Sequence, residues 1–191
     1  MRELVFLLEE ESARAMLEGV LARMLPATLP VRYIVFEGKQ DLERQLSRRV
    51  RGYRNPKARF VVLRDQDNHP DCTEIKARLT RLCREGGCNE ALIRIACREL
   101  ESFYLADLQA VERGLSIGGL AKQQQKQKYR NPDRLASPSR ELRDMTKGRY
   151  QKVGGSRAIG PYLDLFNTRS TSFKNLINGI KRIAEPGGTS A

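Results

Sequence analysis

The chain has 191 residues, of which 40% are hydrophobic and 30% are charged. This composition is typical of a folded domain with a sizeable core and argues against a disordered chain. No apolar run approaches the roughly 20 residues of a membrane-spanning helix. The run at residues 4–8 is too short for the core of a signal peptide, and three glutamates follow it. We therefore expect a cytoplasmic protein with no membrane partner.

The net charge is +12, and much of it lies in one segment. Residues 121–152, the basic segment, contain ten lysines and arginines against three acids, a surplus of +7. Such a segment favours a polyanionic partner, and nucleic acid (DNA or RNA) is the first choice because neutralised phosphates release counterions. A solvated helical face is the alternative. The residues expected to contact phosphates are Lys122, Lys126, Lys128, Arg130, Arg149, Lys152 and Arg157.

Short apolar runs alternate with helical patterns over the first hundred residues. Strands are predicted at residues 4–8, 31–36, 59–65 and 91–96. Helices are predicted at residues 12–25, 41–50, 73–85 and 101–112, where apolar side chains recur every three or four positions. This alternation predicts an α/β fold with a mainly parallel central sheet flanked by helices.

The alternation weakens after Gly114. We predict an α/β core at residues 1–114, a basic and partly flexible insertion at 115–152, C-terminal helices that pack on the core at 153–185, and a disordered tail at 186–191.

Particular residues of the C-terminal half carry further predictions. Helices are expected at residues 159–166 and 172–183, with Ser172 as the N-cap of the second. The run at residues 123–128 is low in complexity and is the predicted flexible part. Tyr129 and Tyr150 lie among basic residues, and they either stack on bases or pack against the sheet.

Three of the predicted strands lead into acidic residues. Glu9 and Glu10 follow the first, Asp65 and Asp67 end the third, and Glu101 follows the fourth. The C-terminal ends of parallel strands share one edge of a sheet, so we expect these carboxylates to converge. Clustered carboxylates repel each other and need a cation, and their hard oxygens suit Mg²⁺ or Mn²⁺. A solvated loop is the alternative.

Two basic side chains near these acids receive separate interpretations. Arg64 precedes Asp65 and points to the opposite face of a straight strand, where we predict an ion pair with an acid on a neighbouring strand. Lys152 ends the basic segment and is a candidate to hold a phosphate or to stabilise a transition state.

The order of these features resembles the Toprim family, whose fold is shared by topoisomerases, bacterial primases and overcoming-lysogenization-defect nucleases. Residues 9–12 (Glu-Glu-Glu-Ser) are similar to the family's Glu-Gly-Pro-Thr loop, and residues 63–67 (Leu-Arg-Asp-Gln-Asp) are similar to its Asp-x-Asp loop. Residues 98–105 resemble a later element of the stand-alone, RloB-like members.

This resemblance implies a Toprim-like fold with a helical and basic C-terminal extension. It also implies that Glu9, Asp65, Asp67 and Glu101 bind metal and act in catalysis. Glu10 occupies the position of the family glycine, so Glu9 and Glu10 both stay open as the first metal ligand.

An uncharacterised bacterial family of about this length is more similar still. The shared segments cover nearly the whole chain and lie at residues 37–42, 63–67, 94–96, 98–101, 150–153 and 170–173. Related stand-alone Toprim proteins are often encoded beside ABC-type ATPases in phage-defence loci. The resemblance therefore implies an ATPase partner of this type, and a homodimer stays open.

Three functions are compatible with these features. The preferred hypothesis is a Mg²⁺- or Mn²⁺-dependent nuclease of phage defence. Glu9 or Glu10 would hold the metal with Asp65 and Asp67, and Glu101 would complete a second metal position or orient water. The alternative is a non-catalytic module that binds nucleic acid or a protein partner. A primase-like nucleotidyl transferase is disfavoured, because so short a chain lacks a template-binding apparatus.

Overall fold

The computed structural model describes residues 1–185 of the chain. Within them there are four strands: β1 (Glu3–Leu8), β2 (Val31–Val35), β3 (Ala58–Asp65) and β4 (Leu92–Ala96). The same residues form eight α-helices: α1 (Glu11–Leu21), α2 (Lys39–Arg51), α3 (Cys72–Glu85), α4 (Glu101–Leu105), α5 (Leu108–Leu115), α6 (Pro138–Met145), α7 (Lys152–Ile159) and α8 (Thr171–Ala184). They also form short 3₁₀ helices at Ala121–Gln125, Gln127–Tyr129, Pro132–Arg134 and Gly160–Tyr162.

The four strands form one sheet in the order β2-β1-β3-β4, and all neighbours run parallel. At the C-terminal edge, Leu8 lies opposite Val35 on β2 and Leu63 on β3, and Asp65 lies opposite Ala96 on β4. The chain is therefore an α/β protein with a parallel central sheet flanked by helices, as predicted, and this arrangement is consistent with a Toprim-like fold. The strand order reverses between β1 and β3, which makes this pair the switch point of the sheet.

Alternate side chains of β1 enter two separate cores. Leu4, Phe6 and Leu8 pack in the layer that contains α1, α4, α5 and α8. Val5 and Leu7 pack in the layer formed by α2 and α3. Both faces of the sheet are covered by helices, so the sequences of the inner strands are continuously apolar. These two layers fix the strand ends and the loops that follow them.

Three predicted helices need correction. α1 ends at Leu21 and not at residue 25, and the chain continues through turns before Pro26. The segment 101–112 is two helices, because Asp107 leaves the helical conformation and its side chain caps α5 at the Ala110 N–H. The helix expected at 159–166 is wrong, since α7 ends at Ile159 and a 3₁₀ helix containing a proline follows.

The predicted C-terminal helix is confirmed as α8, with a different N-cap. Ser170 is the cap, and its hydroxyl accepts the Phe173 N–H at 3.0 Å, whereas Ser172 lies in the first turn. α7 packs against α1, and α8 packs against β4. The boundaries proposed at residues 114 and 152 stay predictions, and the tail at 186–191 lies outside the described residues. Within residues 1–185, no helix combines the length and the apolar character that crossing a membrane requires.

Candidate functional site

Three acidic loops meet at the C-terminal edge of the sheet. Glu9 and Glu10 follow β1, Asp65 ends β3, and Glu101 begins α4 shortly after β4. We call these four residues the acidic cluster. β1 and β3 are the adjacent strands between which the strand order reverses, and open α/β sheets bind their ligands at such a position.

The carboxylate of Glu9 is tied to β3. Its Oε2 accepts the backbone N–H of Asp65 at 3.0 Å and lies 3.9 Å from Arg64 Nε. Burial raises the pKa of Glu9, the Asp65 N–H lowers it, and the charge of Asp67 raises it, with a net upward displacement. The hydrogen bond and the nearby guanidinium therefore do not fully compensate an ionised Glu9.

Arg64 connects the acidic cluster to the α2 layer. Its guanidinium Nη1 donates to Glu43 on α2, so its main partner belongs to a helix and not, as predicted, to a strand. Glu43 also pairs with Arg78 on α3 at 3.2 Å. The Arg64 side chain is 7% exposed. This buried guanidinium lies beside Glu9, without a hydrogen bond from its Nε to the described residues, on the face of the strand opposite to the Asp65 side chain.

Asp65 is buried among like charges. Burial raises its pKa, the carboxylates of Glu101, Glu9 and Glu10 raise it further, and Lys152 lowers it. The pKa of Asp65 lies well above its usual value as a result. Desolvation and repulsion act in the same direction here, so an ionised cluster calls for an additional cation.

Glu101 is 1% exposed, and in the described part of the chain only one of its two carboxylate oxygens has a hydrogen-bond partner. Oε1 accepts the hydroxyl of Tyr150 at 2.9 Å. Oε2 is buried and has no hydrogen-bond partner within residues 1–185. Burial raises the pKa of Glu101 more than its hydrogen bonds and the charge of Lys152 lower it. A Cβ at Gly155 would overlap the Tyr150 ring, so a glycine is needed where this ring packs.

Two lysines pair with acids at the rim of the site. Lys152 Nζ lies 2.6 Å from Glu10 Oε1, and Lys39 Nζ lies 2.8 Å from Asp67 Oδ2. Burial lowers the pKa of Lys152, but its hydrogen bond with Glu10 and the surrounding acidic charges raise it more. Asp67 adopts a left-handed conformation with φ 54°, and its N–H donates to the carbonyl of Arg98 at 2.7 Å.

Buried polar atoms without a hydrogen bond concentrate around the acidic cluster. In the part of the chain that the structure describes, they are Ser12 Oγ, Arg64 Nε, Glu101 Oε2, Ser102 Oγ and the Tyr104 hydroxyl. Ser12 lies in the first turn of α1, Arg64 precedes Asp65, and the other three belong to α4. Folded proteins leave few such atoms unpaired, so their grouping indicates a place where water or a ligand completes the hydrogen bonding.

The basic segment runs past α4 and ends at the acidic cluster. Ser139 N–H donates to Glu99 Oε2 at 2.6 Å, two residues before Glu101. The seven residues predicted to bind phosphates are all exposed. Four of them have protein partners. Lys152 pairs with Glu10 and Lys128 pairs with Glu141, each at 2.6 Å. Lys126 donates to Gln123 Oε1 at 3.1 Å, and Arg149 donates to the carbonyl of Leu115 at 3.0 Å.

The two tyrosines of the basic segment pack inside the protein. Tyr129 is 1% exposed and Tyr150 is 5% exposed. Base stacking by these rings is therefore wrong, and the packing alternative is confirmed. Within residues 1–185, the exposed aromatic rings are those of Tyr162 and Phe166.

A family described as "Domain of unknown function (DUF4276)" matches residues 8–181. The chain belongs to this family. All of the acidic cluster and all of the basic segment lie inside the matched residues. Searches of the curated proteins and of the solved structures gave no match.

The fit of the acidic cluster to a metal ion depends on its geometry and on its donor atoms. No group of three acidic, histidine or cysteine side chains within residues 1–185 is arranged to hold one. Asp67, which we predicted to share one cation with Glu9 and Asp65, is paired with Lys39 at 2.8 Å. The donor chemistry nevertheless fits Mg²⁺ or Mn²⁺, since all donors are hard carboxylate oxygens and Glu101 Oε2 is buried without a partner.

Sequence patterns did not identify three residues of this site. Tyr150 and Lys39 contact Glu101 and Asp67, and Glu43 contacts Arg64, each from a segment distant along the chain. The one local signal is the glycine pair at residues 154–155, because glycine inside a helix often marks a close approach of another group.

Proposed function

We propose that this protein is a divalent-metal-dependent nuclease with a Toprim-like site. One observation carries the proposal. Four carboxylates gather at the switch point of a parallel sheet, and the buried Asp65 and Glu101 have raised pKa values. Such a cluster is costly for folding unless a cation joins it, and costly charge clusters in clefts are characteristic of functional sites.

Asp65, Glu101 and Glu9 or Glu10 would hold Mg²⁺ or Mn²⁺ in this proposal. The metal, when bound, supplies charge neutralisation at a phosphoryl oxygen or an activated water. Arg64 acts as a positioning residue for Glu9, and the Tyr150 hydroxyl orients Glu101. Asp67 carries the second carboxylate of the Asp-x-Asp loop and lies beside Lys39.

Lys152 is the proposed contact between the site and the substrate phosphate. Its side chain is half-exposed, and its Nζ lies 2.6 Å from Glu10 Oε1. It is positively charged at neutral pH, because the surrounding acids raise its pKa. The exposed cations Lys122, Lys126, Arg130 and Arg157 extend this positive surface for the rest of a nucleic-acid strand.

A second candidate function is a non-catalytic module that binds nucleic acid or a protein. It is favoured by the two ion pairs Lys39–Asp67 and Lys152–Glu10, in which lysines already neutralise acids of the site. In this case the lysines would be permanent partners of the carboxylates, and no metal would enter. An ABC-type ATPase is the proposed protein partner in either case, and this rests on the Toprim resemblance alone.

Cleavage of labelled DNA and RNA separates the two candidates. We expect Mn²⁺ or Mg²⁺ to support cleavage, EDTA to stop it, and Asp65→Asn to abolish it. The fold should survive this change, because asparagine keeps the shape of the side chain and removes one of the repelling charges. Asp144→Asn on the exposed surface of α6 is the matched control and should cleave normally.

If an ATPase partner is needed to start the reaction, the isolated protein will not cleave DNA or RNA. Growth arrest of cells that express the protein together with that ATPase is then the readout. Equal toxicity of the wild type and of Asp65→Asn would reject the nuclease and leave the binding module.

A further inference from the structure

A polar cavity of about 330 Å³ lies apart from the acidic cluster, where α4 gives way to α5. Its walls include Asp107, Gln124, Arg130 and Arg169. Asp107 follows Glu101 by six residues along α4 and its C-cap, so the Cα atoms of these two residues are on the order of 9 Å apart. That separation corresponds to a few nucleotides of a strand.

The net charge of this cavity is positive, because two arginines line it against one acid, and the oxygens of that acid are already hydrogen-bonded. Asp107 Oδ1 accepts the Ala110 N–H at 3.1 Å, and Oδ2 accepts the Asp164 N–H at 2.7 Å. Arg130 makes no side-chain hydrogen bond or ion pair with the residues that the structure describes. Arg169 makes one side-chain hydrogen bond, from Nη1 to the carbonyl of Ala106 at 3.3 Å. Most of the guanidinium donors of the two arginines therefore stay available.

Side-chain amides fix the backbone from which the two arginines project. Gln124 Nε2 donates to the carbonyls of Leu105 and Tyr129 at 3.1 and 3.2 Å, and its Oε1 accepts the Leu108 N–H at 2.8 Å. These bonds fix the turn that carries Arg130. The N–H of Arg169 donates to Asn167 Oδ1 at 2.8 Å.

We propose that this cavity is a second anion site, in which Arg130 and Arg169 bind a phosphate group of the nucleic-acid strand a few nucleotides from the acidic cluster. Guanidinium groups suit this role because each can donate two parallel hydrogen bonds to phosphate oxygens. The assignment to a strand phosphate rests on the proposed nucleic-acid function. The affinity of the cavity for phosphate does not, since a free phosphate compound has the same chemistry.

The test is equilibrium binding in EDTA, so that cleavage plays no part. Two probes are used: a fluorescein-labelled oligothymidylate and inorganic pyrophosphate. We expect Arg130→Gln and Arg169→Gln each to weaken binding of both probes about tenfold, as the loss of one charge-assisted contact requires. Arg169→Lys should retain part of the affinity for both probes, because lysine keeps the positive charge but cannot donate two parallel hydrogen bonds as the guanidinium does.

Arg134→Gln is the matched control. Arg134 is an exposed arginine of the same segment that does not line the cavity, and its loss should weaken binding by only about twofold. Pocket variants that bind both probes no worse than Arg134→Gln would overturn the proposal. Weakened pyrophosphate binding with unchanged oligothymidylate binding would overturn the strand assignment in favour of a free phosphate compound.

The proposal and the nuclease can fail separately. Weak binding by the pocket variants of a protein that never cleaves would keep the anion site and reject the nuclease. If the wild type cleaves with Mn²⁺ and the pocket variants bind normally, the nuclease is kept and the anion site is rejected.

Discussion

At Asp65, burial and repulsion by like charges oppose ionisation together. The side chain is 8% exposed, and Glu101, Glu9 and Glu10 raise its pKa in addition to burial. The ionised form of Asp65 therefore destabilises the metal-free protein at neutral pH. A destabilising residue thus lies at the position where a parallel sheet binds its ligand.

Asp65→Asn should stabilise the metal-free protein. The change removes one of the repelling charges and keeps the shape of the side chain, so we expect a gain on the order of 1 kcal/mol in the free energy of unfolding at pH 7. Denaturant unfolding in EDTA measures it. Asp144→Asn, an exposed change on α6, should stay within about 0.5 kcal/mol of the wild type. A net loss of stability for Asp65→Asn would show that the cluster is compensated without metal.

Stability should also depend on pH in a direction set by the same groups. The pKa values of Glu9, Asp65 and Glu101 are raised in the folded state, so between their unfolded values, near 4, and neutral pH the folded state binds more protons than the unfolded state. The free energy of unfolding should therefore rise as pH falls from about 7 towards 5. Asp41, whose pKa is lowered mainly by a hydrogen bond from Gln45, reverses the trend at lower pH.

Thermal denaturation in EDTA across this pH range tests the sign. The increase towards pH 5 should be smaller in Asp65→Asn, because one of the three groups is gone. A melting temperature that falls steadily from pH 7 to pH 5 would contradict the account.

At the scale of elements, the basic segment is built on specific hydrogen bonds despite its simple composition. Gln124 lies in a run of glutamines and lysines, yet its amide makes three hydrogen bonds to the backbone. Asp133 accepts hydrogen bonds from the Ser170 hydroxyl and the Ser172 N–H, and so joins the segment to the start of α8.

Gln124→Ala should therefore destabilise the protein. It leaves one N–H and two carbonyls of the backbone without a partner, which costs about 1–3 kcal/mol. Gln125→Ala is the matched control, because the neighbouring side chain is exposed, and its effect should stay near zero. Hydrogen exchange of residues 121–130 should accelerate in Gln124→Ala alone. Equal stability of the two variants would favour the flexible segment that the sequence predicts.

The elements also show which features can be predicted from sequence. The strands of the sheet are continuous apolar runs with turn residues at their ends, so local pattern identifies β1 to β4 and brings Glu9 and Asp65 to one edge. The break between α4 and α5 is different. Asp107 caps α5 and also accepts a hydrogen bond from the Asp164 N–H. A contact between residues so far apart in the chain produces no pattern in the local sequence. The same holds for Tyr150, whose partner Glu101 is 49 positions away.

At the scale of the whole molecule, acidic and basic parts meet at one place. The protein carries a net charge of +12, but its buried acids lie at the sheet edge and its exposed cations lie beside it. Acids alone would repel a polyanion. The arrangement suits a nucleic acid whose backbone lies on the basic surface while one phosphate approaches the carboxylates together with a cation.

Nucleic-acid binding should be strongly salt-dependent. The logarithm of the binding constant on duplex should fall with the logarithm of salt concentration with a slope of about −0.9 per neutralised phosphate. Lys122→Gln with Lys126→Gln should flatten this slope. Lys128→Gln should have less effect, because Lys128 already pairs with Glu141. A slope that the Lys122 and Lys126 changes leave untouched would assign the segment to a protein partner or to a solvated face.

The most direct test of the central claim is a calorimetric titration of the metal-free protein with Mn²⁺. A metal site at the acidic cluster predicts saturable binding to the wild type and loss of most of that affinity in Asp65→Asn, while Asp144→Asn binds as the wild type does. Saturation should also raise the melting temperature of the wild type, since a ligand that binds only the folded state stabilises it. Absence of binding, or equal binding by the wild type and Asp65→Asn, would contradict a metal site at the acidic cluster.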